Sequence, residues 1–531
     1  MRTSRDEAVT RSRGTSLPHE ARNAWILTAT ILGSSMAFID STVVNVALPA
    51  IQNNFHATVV DVQWVVESYG LLLGALILVG GSLGDLFGRR RIFLVGVAIF
   101  AAASVACGIA TNIHQLIIAR SIQGVGAALL VPGSLAIIST SFDEKSRGQA
   151  IGTWSGFTAI TTAIGPVLGG WLVEHASWRW AFLINVPLAV AVLVISLWRI
   201  PESRSDTAGR LDWLGALLAT LGLGGLVNGF IESVNLGWRH PLVFGSLIVG
   251  CGGLVAFVFV EAHVASPMAP LTLFKSKSFS GANLLTLFLY AAIGIFFFLF
   301  PLNLIQVQGY SSTATGAAVL PLILLMFFLS RWSGGLVARY GPRGPLIIGP
   351  LIAALGFVLF AVPSVGDTYW KAFFPAIVVL GFGMAVTVAP LTTVVMNSVD
   401  QDRVGTGSGI NNAVARVAGV LAIAVLGMVM VNAFGSRLDH ILAHVSLPPD
   451  ILREIHADKI KLAGMQVPAG LDPATKAAIK AAIGEAFVSG FRIVILICAS
   501  LSVASAAVAW RIIPEDGHRF AARSPGSLAR M

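Results

Sequence analysis

Residues 36–50 read MAFIDSTVVNVALPA and set an aspartate, Asp40, inside an apolar run that extends from about 24 to 48. An apolar run of this length is long enough to cross lipid as a helix. A charge at the centre of such a helix costs about 2.5–3.5 kcal/mol on insertion scales, while each leucine returns about 0.3–0.6. One ionised Asp40 therefore offsets five or more leucines. It is tolerable only if it is protonated, paired or in water, and those are the conditions a proton carrier needs. The competing reading is a fixed hydrogen bond between helices.

Similar runs recur outward from this one, near 62–82, 92–110, 114–136, 148–172 and 180–198. Others follow near 212–231, 242–260, 282–304, 314–333, 345–363, 372–396, 405–431 and 486–511. With the first, they make fourteen expected spans. Each is read as a helix because hydrocarbon offers no partner to a free backbone group. Composition agrees: of 531 residues, 55% are apolar and 11% charged, and the mean hydropathy is +0.81. A soluble domain carries about 25% charged residues. A disordered chain, a nucleic-acid-binding tail and a disulfide scaffold are excluded. Cys107, Cys251 and Cys498 lie far apart without metal-ligand spacing and read as unpaired thiols.

Charge fixes the expected orientation. With the amino terminus inside, the cytoplasmic segments hold 22 of the 35 Lys and Arg residues, and the short outer loops hold three. Both termini are then cytoplasmic, and most of the net +9 reports topology rather than an acidic partner. The long outer loop, 432–485, is balanced in charge and reads as a spacer in preference to a lid. Its last stretch, Pro473–Glu485, is expected to run as a helix into the final span.

Two halves repeat in parallel. Gly81–Gly88 recurs as Gly334–Gly341, and Gly124, Gly126, Pro132 and Asp143 recur as Gly381, Gly383, Pro390 and Asp400. Parallel repeats about an axis along the membrane normal are a transporter architecture. Spans 7 and 8 fall between the halves as an insertion. The repeat breaks where Asp85 faces Ala338, where Arg120 faces about Ile377, and where Gly165-Pro166 has no counterpart.

The charged exceptions cluster. Asp40 lies about nine residues, roughly 13 Å, below the expected outer end of span 1. Glu67 is a shallower second acid in QWVVESYG, and Arg120 lies in span 4. An arginine keeps its proton, so its role there would be to bias a neighbouring carboxylate; snorkelling is the alternative. Span 5 carries small residues at helical spacing, from Gly156 through Thr158, Thr161, Thr162 and Gly165 to Gly169, with Pro166 to bend it. Arg416, below Asn412 and Ser408, is read equally as a substrate contact or a structural pair. Phe38, Trp64 and Phe157 are candidate lining residues, with core packing as the alternative. No Gly-Lys dipeptide occurs, which excludes a nucleotide-binding P-loop. HExxH is also absent, so no enzyme or metal site is expected.

These motifs resemble the major facilitator superfamily, specifically its fourteen-span drug:proton antiporters, over nearly the whole chain. Asp40, Asn45 and Pro49 match the span 1 motif. Gly81, Asp85, Gly88, Arg89 and Arg90 match the loop 2–3 motif. Arg120, Gln123, Gly124 and Gly126 match the span 4 motif, and Gly156, Gly165, Pro166 and Gly169 the span 5 motif of exporters. WRWAFLINVP (Trp178–Pro187) is similar to the stretch leading into span 6. The resemblance implies that Asp85 and its arginines latch the halves on the cytoplasmic side, that Arg120 assists proton coupling, and that span 5 favours export. Ala338 departs from the pattern, so the latch would be one-sided.

The expected fold is thus an all-α polytopic membrane protein with the major facilitator fold, two six-helix bundles plus two inserted helices. The divisions are a tail at 1–23, a bundle at 24–198, a linker with the inserted pair at 199–281, a bundle at 282–511 and a tail at 512–531. The expected function is proton-coupled export of an amphipathic small molecule across the cytoplasmic membrane. Proton-coupled import of a metabolite and a non-transporting sensor are the rivals. Asp40, Glu67 and Arg120 are the proton-coupling candidates; Phe38, Asn45, Trp64, Gln123, Phe157, Asn412 and Arg416 are the cavity candidates. No cofactor is implied. The partners are the substrate, protons, the lipid bilayer and, optionally, a periplasmic adaptor protein; nucleic acid is excluded.

Overall fold

The computed structural model describes residues 19–204, 211–399, 404–445, 447–468 and 471–515. Among the described residues, fourteen helices are long and apolar enough to cross a membrane. The first eight are α1 (Arg22–Phe55), α2 (Val59–Phe87), α3 (Arg89–Ile109), α4 (Ile113–Ser141), α5 (Gln149–His175), α6 (Trp180–Arg199), α7 (Trp213–Leu236) and α8 (Pro241–His263). The others are α9 (Lys277–Val307), α10 (Ser312–Ser330), α11 (Arg343–Phe360), α12 (Phe374–Asn397), α13 (Thr406–Leu442) and α14 (Pro473–Ile512). The described residues contain no strand.

Local chemistry sets the turns between them. Thr58 and Asp61 form a reciprocal capping box that starts α2. Asn112 caps α4, accepting from the Gln115 amide at 2.9 Å. Gly88 ends α2 at a φ of 110°, which an L side chain rarely adopts, and α3 starts at once. Its counterpart Gly341 also has positive φ, at 74°.

Helices α1 to α6 pack chiefly on one another, as do α9 to α14. The pair α7 and α8 packs on itself, and α7 lies along the seam where α2 meets α13. There the Trp64 indole donates to Glu232 of α7 at 3.0 Å. Repeat glycines let helices cross closely. A Cβ on Gly126 would stand 2.6 Å from the Phe100 amide nitrogen, and one on Gly383 2.4 Å from that of Ala353. Gly80, which the sequence reading passed over, allows no Cβ at all: it would fall 2.0 Å from the Ala128 carbonyl oxygen.

The chain begins and ends its described part on one face, here the terminal face; the opposite one is the capped face. Among the described residues, four hydrogen bonds join the two bundles toward the capped face. Gln63 of α2 donates to the Ile423 carbonyl at 3.1 Å, and the Thr313 amide donates to Glu174 at 3.1 Å. Gln52 of α1 accepts from Gln306 at 2.8 Å and donates to the Lys461 carbonyl at 3.0 Å.

That last bond corrects the spacer reading of 432–485. Helix α13 extends to Leu442, a short helix covers Pro449–Asp458, and a turn of 3-10 helix follows at Lys459–Gly464. Ile455, Leu462 and Met465 are buried in the main apolar cluster. The segment folds because this apolar set has the bundle mouth to cover, a pattern that charge balance alone conceals. The helix expected at Pro473–Glu485 is present as the first part of α14. Helix α1 also runs further than expected, through Pro49 to Phe55, which leaves Asp40 near its middle. Asp400 of the repeat and the tails 1–18 and 516–531 lie outside the described residues.

Candidate functional site

Four helices of the first bundle converge on Asp40. Its carboxylate is fully buried and Arg120 of α4 is 1% exposed. Arg120 Nη1 donates to Asp40 Oδ2 at 2.5 Å and to Gln123 Oε1 at 2.6 Å. Its Nε donates to the Val65 carbonyl at 3.0 Å. On the other carboxylate oxygen, Oδ1, Gln123 Nε2 donates at 2.8 Å and Asn185 Nδ2 of α6 at 3.2 Å. Ser104 of α3 accepts from Gln123 at 2.9 Å. Asp40 is used only as an acceptor, as suits a carboxylate. The guanidinium stands 4.2 Å from the Tyr69 ring centroid and 5.7 Å from that of Phe182, which adds cation–π attraction in a dry site.

Burying two charges costs several kcal/mol per ion, offset only when geometry and extra hydrogen bonds are good. Here three donors surround the carboxylate. Gly124 permits the approach, since a Cβ on it would lie 2.6 Å from the Tyr69 carbonyl oxygen. Gln123, a cavity candidate by sequence, is fully buried inside this network instead. Asn185 and Ser104 belong to it although neither was singled out by sequence. Asn185 lies in the quoted run Trp178–Pro187, so a polar residue in a motif was the available signal.

Glu67 does not join them. It is fully buried, and neither carboxylate oxygen has a hydrogen-bond partner. It shares a face of α2 with Gln63, Gly70 and Gly74, whose neighbours are Ile423, Val420 and Arg416 of α13. That face is the seam between the bundles.

The remaining cavity candidates divide. Arg416 lies 6.0 Å from the Phe38 ring, and both keep part of their surface accessible. Asn412 is exposed and donates to Ser408 one turn back at 3.1 Å. Asn45 donates to the Ser41 carbonyl of its own helix at 3.3 Å. Trp64 is taken up by Glu232, and Phe157 is 50% exposed.

On the terminal face, Arg89 pairs with Asp85 at 2.7 Å. Arg90 donates to the Ile200 carbonyl at 2.9 Å and its amide donates to Glu202 at 3.1 Å. These bonds stay within the first half of the chain. Gly81 packs near Pro132. In α5, a Cβ on Gly165 would fall 2.1 Å from Thr42 Oγ1 and one on Gly169 2.8 Å from Val43. The Pro166 carbonyl fills the space where a Cβ on Gly316 of α10 would stand, 2.0 Å away. Gly156 differs from the others, with nothing within 4 Å.

The family described as Major Facilitator Superfamily matches residues 30–423. The chain is 33% identical over 506 residues to the multidrug resistance protein Stp of Mycobacterium tuberculosis, covering 93% of this chain and 92% of that one. It is 33% identical over 493 residues to the tetracenomycin C resistance and export protein of Streptomyces glaucescens, with 91% and 90% covered. Among solved structures, an inward-facing, unoccupied bacterial homolog of the human lysosomal transporter Spinster is similar, with a TM-score of 0.62 and 18% identity. That match covers 93% of this chain and 98% of the other. The chain belongs to the major facilitator superfamily.

Proposed function

We propose that this protein is a proton-coupled exporter of amphipathic small molecules, working by alternating access in the cytoplasmic membrane with both termini inside. The observation that carries the reading is the buried Asp40–Arg120 pair in a membrane-spanning bundle. The resistance and export functions named for its relatives support the direction. With the charge-based orientation, the capped face is external, and the four bonds sealing it describe an inward-facing state. The bundles 24–198 and 282–511 rock about the substrate, and Asp85, Arg89 and Arg90 latch the cytoplasmic side when it closes. Small residues of α5 form the pivot against α1 and α10.

Protons arrive from outside when the capped face opens. Neutralising Asp40 releases Arg120 from its strongest partner and favours a different helix arrangement. In the inward-facing state the carboxylate has given up its proton and regained the arginine. Glu67, whose carboxylate oxygens have no hydrogen-bond partner among the described residues, is the second candidate to take a proton from outside once the capped face opens.

Asp40→Asn tests the assignment. Reconstituted in proteoliposomes, the variant is expected to fold, to bind substrate and to lose uphill efflux driven by an inward proton gradient. Efflux at the wild-type rate in that variant overturns it.

A further inference from the structure

Arg416 differs from the other membrane-embedded arginines whose side chains are described. Arg120 is committed to Asp40. Arg492 donates to the Val362 and Pro363 carbonyls and to Ser364. Arg416 has no carboxylate partner among the described residues. A guanidinium has five donors and no acceptor, and holding it inside a membrane without a counter-charge is costly enough that such groups mark substrate or ion pathways.

Its surroundings suit a ligand rather than lipid. Arg416 stands on α13 and is approached by Phe38 of α1, and the Tyr69 and Tyr290 hydroxyls lie within electrostatic reach. These side chains come from α1, α2 and α9, so Arg416 sits where the two bundles meet. Phe38, Tyr290 and Arg416 each keep part of their surface accessible. Gly74 of α2 packs beside the stem of Arg416, whose Cβ lies 3.5 Å from where a Cβ on Gly74 would stand, an ordinary contact. Flat aromatic walls around a fixed cation make a site that is mostly apolar with one orienting charge.

We infer that Arg416 is the anchor for an oxyanion on the substrate, so that the exported molecule is an amphipath with an aromatic or alicyclic body and one carboxylate-like group. This rests on the exporter reading and names its substrate class. The guanidinium fork matches a carboxylate, sulfonate or phosphate through two parallel N–H···O bonds. An anion carried outward also moves with an inside-negative membrane potential. Tyr69 connects this site to the proton site, since its ring also covers the Arg120 guanidinium at 4.2 Å.

The test is equilibrium binding of three pyrene probes to the purified chain in neutral-lipid nanodiscs: 1-pyrenebutyrate, its uncharged amide, and the corresponding trimethylammonium. Binding needs no gradient, so failure of proton coupling leaves the result intact, and the reverse holds. The acid is expected to bind at least ten-fold more tightly than the amide, with the cation weakest. Arg416→Gln should remove that preference while leaving amide affinity within about two-fold, and Arg416→Lys should retain part of it. Equal affinity for the three probes overturns the inference on the wild-type chain alone, whether or not the variants fold. So does no binding of the acid, or a preference that survives Arg416→Gln in monodisperse protein.

Discussion

The two bundles share their packing and differ in their charge. Gly124 and Gly126 of α4 meet α2 and α3 at the same kind of distance as Gly381 and Gly383 of α12 meet α10 and α11. Gly88 and Gly341 both take positive φ at matching turns. Yet Arg120 in the first bundle faces, in the repeat, about Ile377, which is fully buried among apolar residues. The comparison separates two kinds of constraint. Close helix crossing is a backbone requirement of a rocking bundle and must be met twice. The buried Asp40–Arg120 pair is present in the first bundle alone, so it answers to something other than helix packing.

The largest effect should come from making the first bundle resemble the second. Arg120→Ile leaves the Asp40 carboxylate buried with only Gln123 and Asn185 as donors. Losing one member of a buried pair costs about 3–5 kcal/mol, so a large fall in Tm and no proton-driven efflux are expected. Adding Asp40→Asn should restore most of the stability without restoring transport. A double variant as unstable as Arg120→Ile would show that arginine packing against Tyr69 and Phe182, rather than charge, is what the site needs.

The symmetric part of the comparison predicts equal damage. Gly126→Ala and Gly383→Ala each push a methyl group against a neighbouring backbone nitrogen. Overpacking of this kind costs about 1–3 kcal/mol, and thermal unfolding of the two purified variants should agree within the scatter of the measurement. Gly156→Ala is the contrast, since its site is open; a change within about 0.5 kcal/mol is expected. Unequal losses at Gly126 and Gly383 would mean that only one of the bundles must hold its helices this close.

What the sequence made legible follows the same division. Long apolar runs and the spacing of glycines announce helices and their crossings, so fourteen spans were countable before any coordinates. An isolated charge in such a run is equally conspicuous, and Asp40 and Arg120 fell in the same half of one bundle by depth alone. Of their neutral partners, Gln123 stands out in sequence only as a motif and cavity residue, and Ser104 and Asn185 do not stand out. All three are polar residues of ordinary appearance in membrane helices, and only three-dimensional proximity makes Gln123 and Asn185 donors to the carboxylate and Ser104 the acceptor behind them. The folded segment 449–465 was hidden for the opposite reason. Its few apolar residues sit among charges, and nothing in one dimension says that a bundle mouth lies beneath them.

That segment has no counterpart in the first half, and removing its hold should have a modest effect. Gln52 joins α1 to α9 and to the Lys461 carbonyl at once. Each such bond is worth about 0.5–1.5 kcal/mol net. Gln52→Ala should therefore shift the population toward an open capped face by a few-fold, without unfolding the chain. Labelling of a cysteine placed at Ile423, which keeps the carbonyl that accepts from Gln63, by a membrane-impermeant maleimide would report it; unchanged labelling would assign the seal to apolar packing alone.

The smallest effect concerns how the last helix of each bundle begins. The start of α6 is tied by Arg179, whose Nη1 donates to the Gly108 and Ala110 carbonyls at 2.9 and 2.7 Å. The start of α14 is capped by Asp472, which accepts from the Ala474 and Thr475 amides at 3.0 Å each. Hydrogen bonds from Thr475, side chain first and then amide, hold the Asp472 carboxyl below its ordinary range. A depressed folded-state value stabilises the helix above the unfolded pKa of about 3.9, and the contribution is lost as pH falls through the lower folded value. Amide exchange at Ala474 and Thr475, corrected for intrinsic rates, should accelerate only below about pH 4, while the first turn of α6 stays protected because a guanidinium does not titrate there. Asp472→Asn keeps an acceptor at the cap and should abolish the pH dependence. Parallel loss of protection in α6 and α14 would trace the acid effect to the whole capped face instead of to one carboxylate.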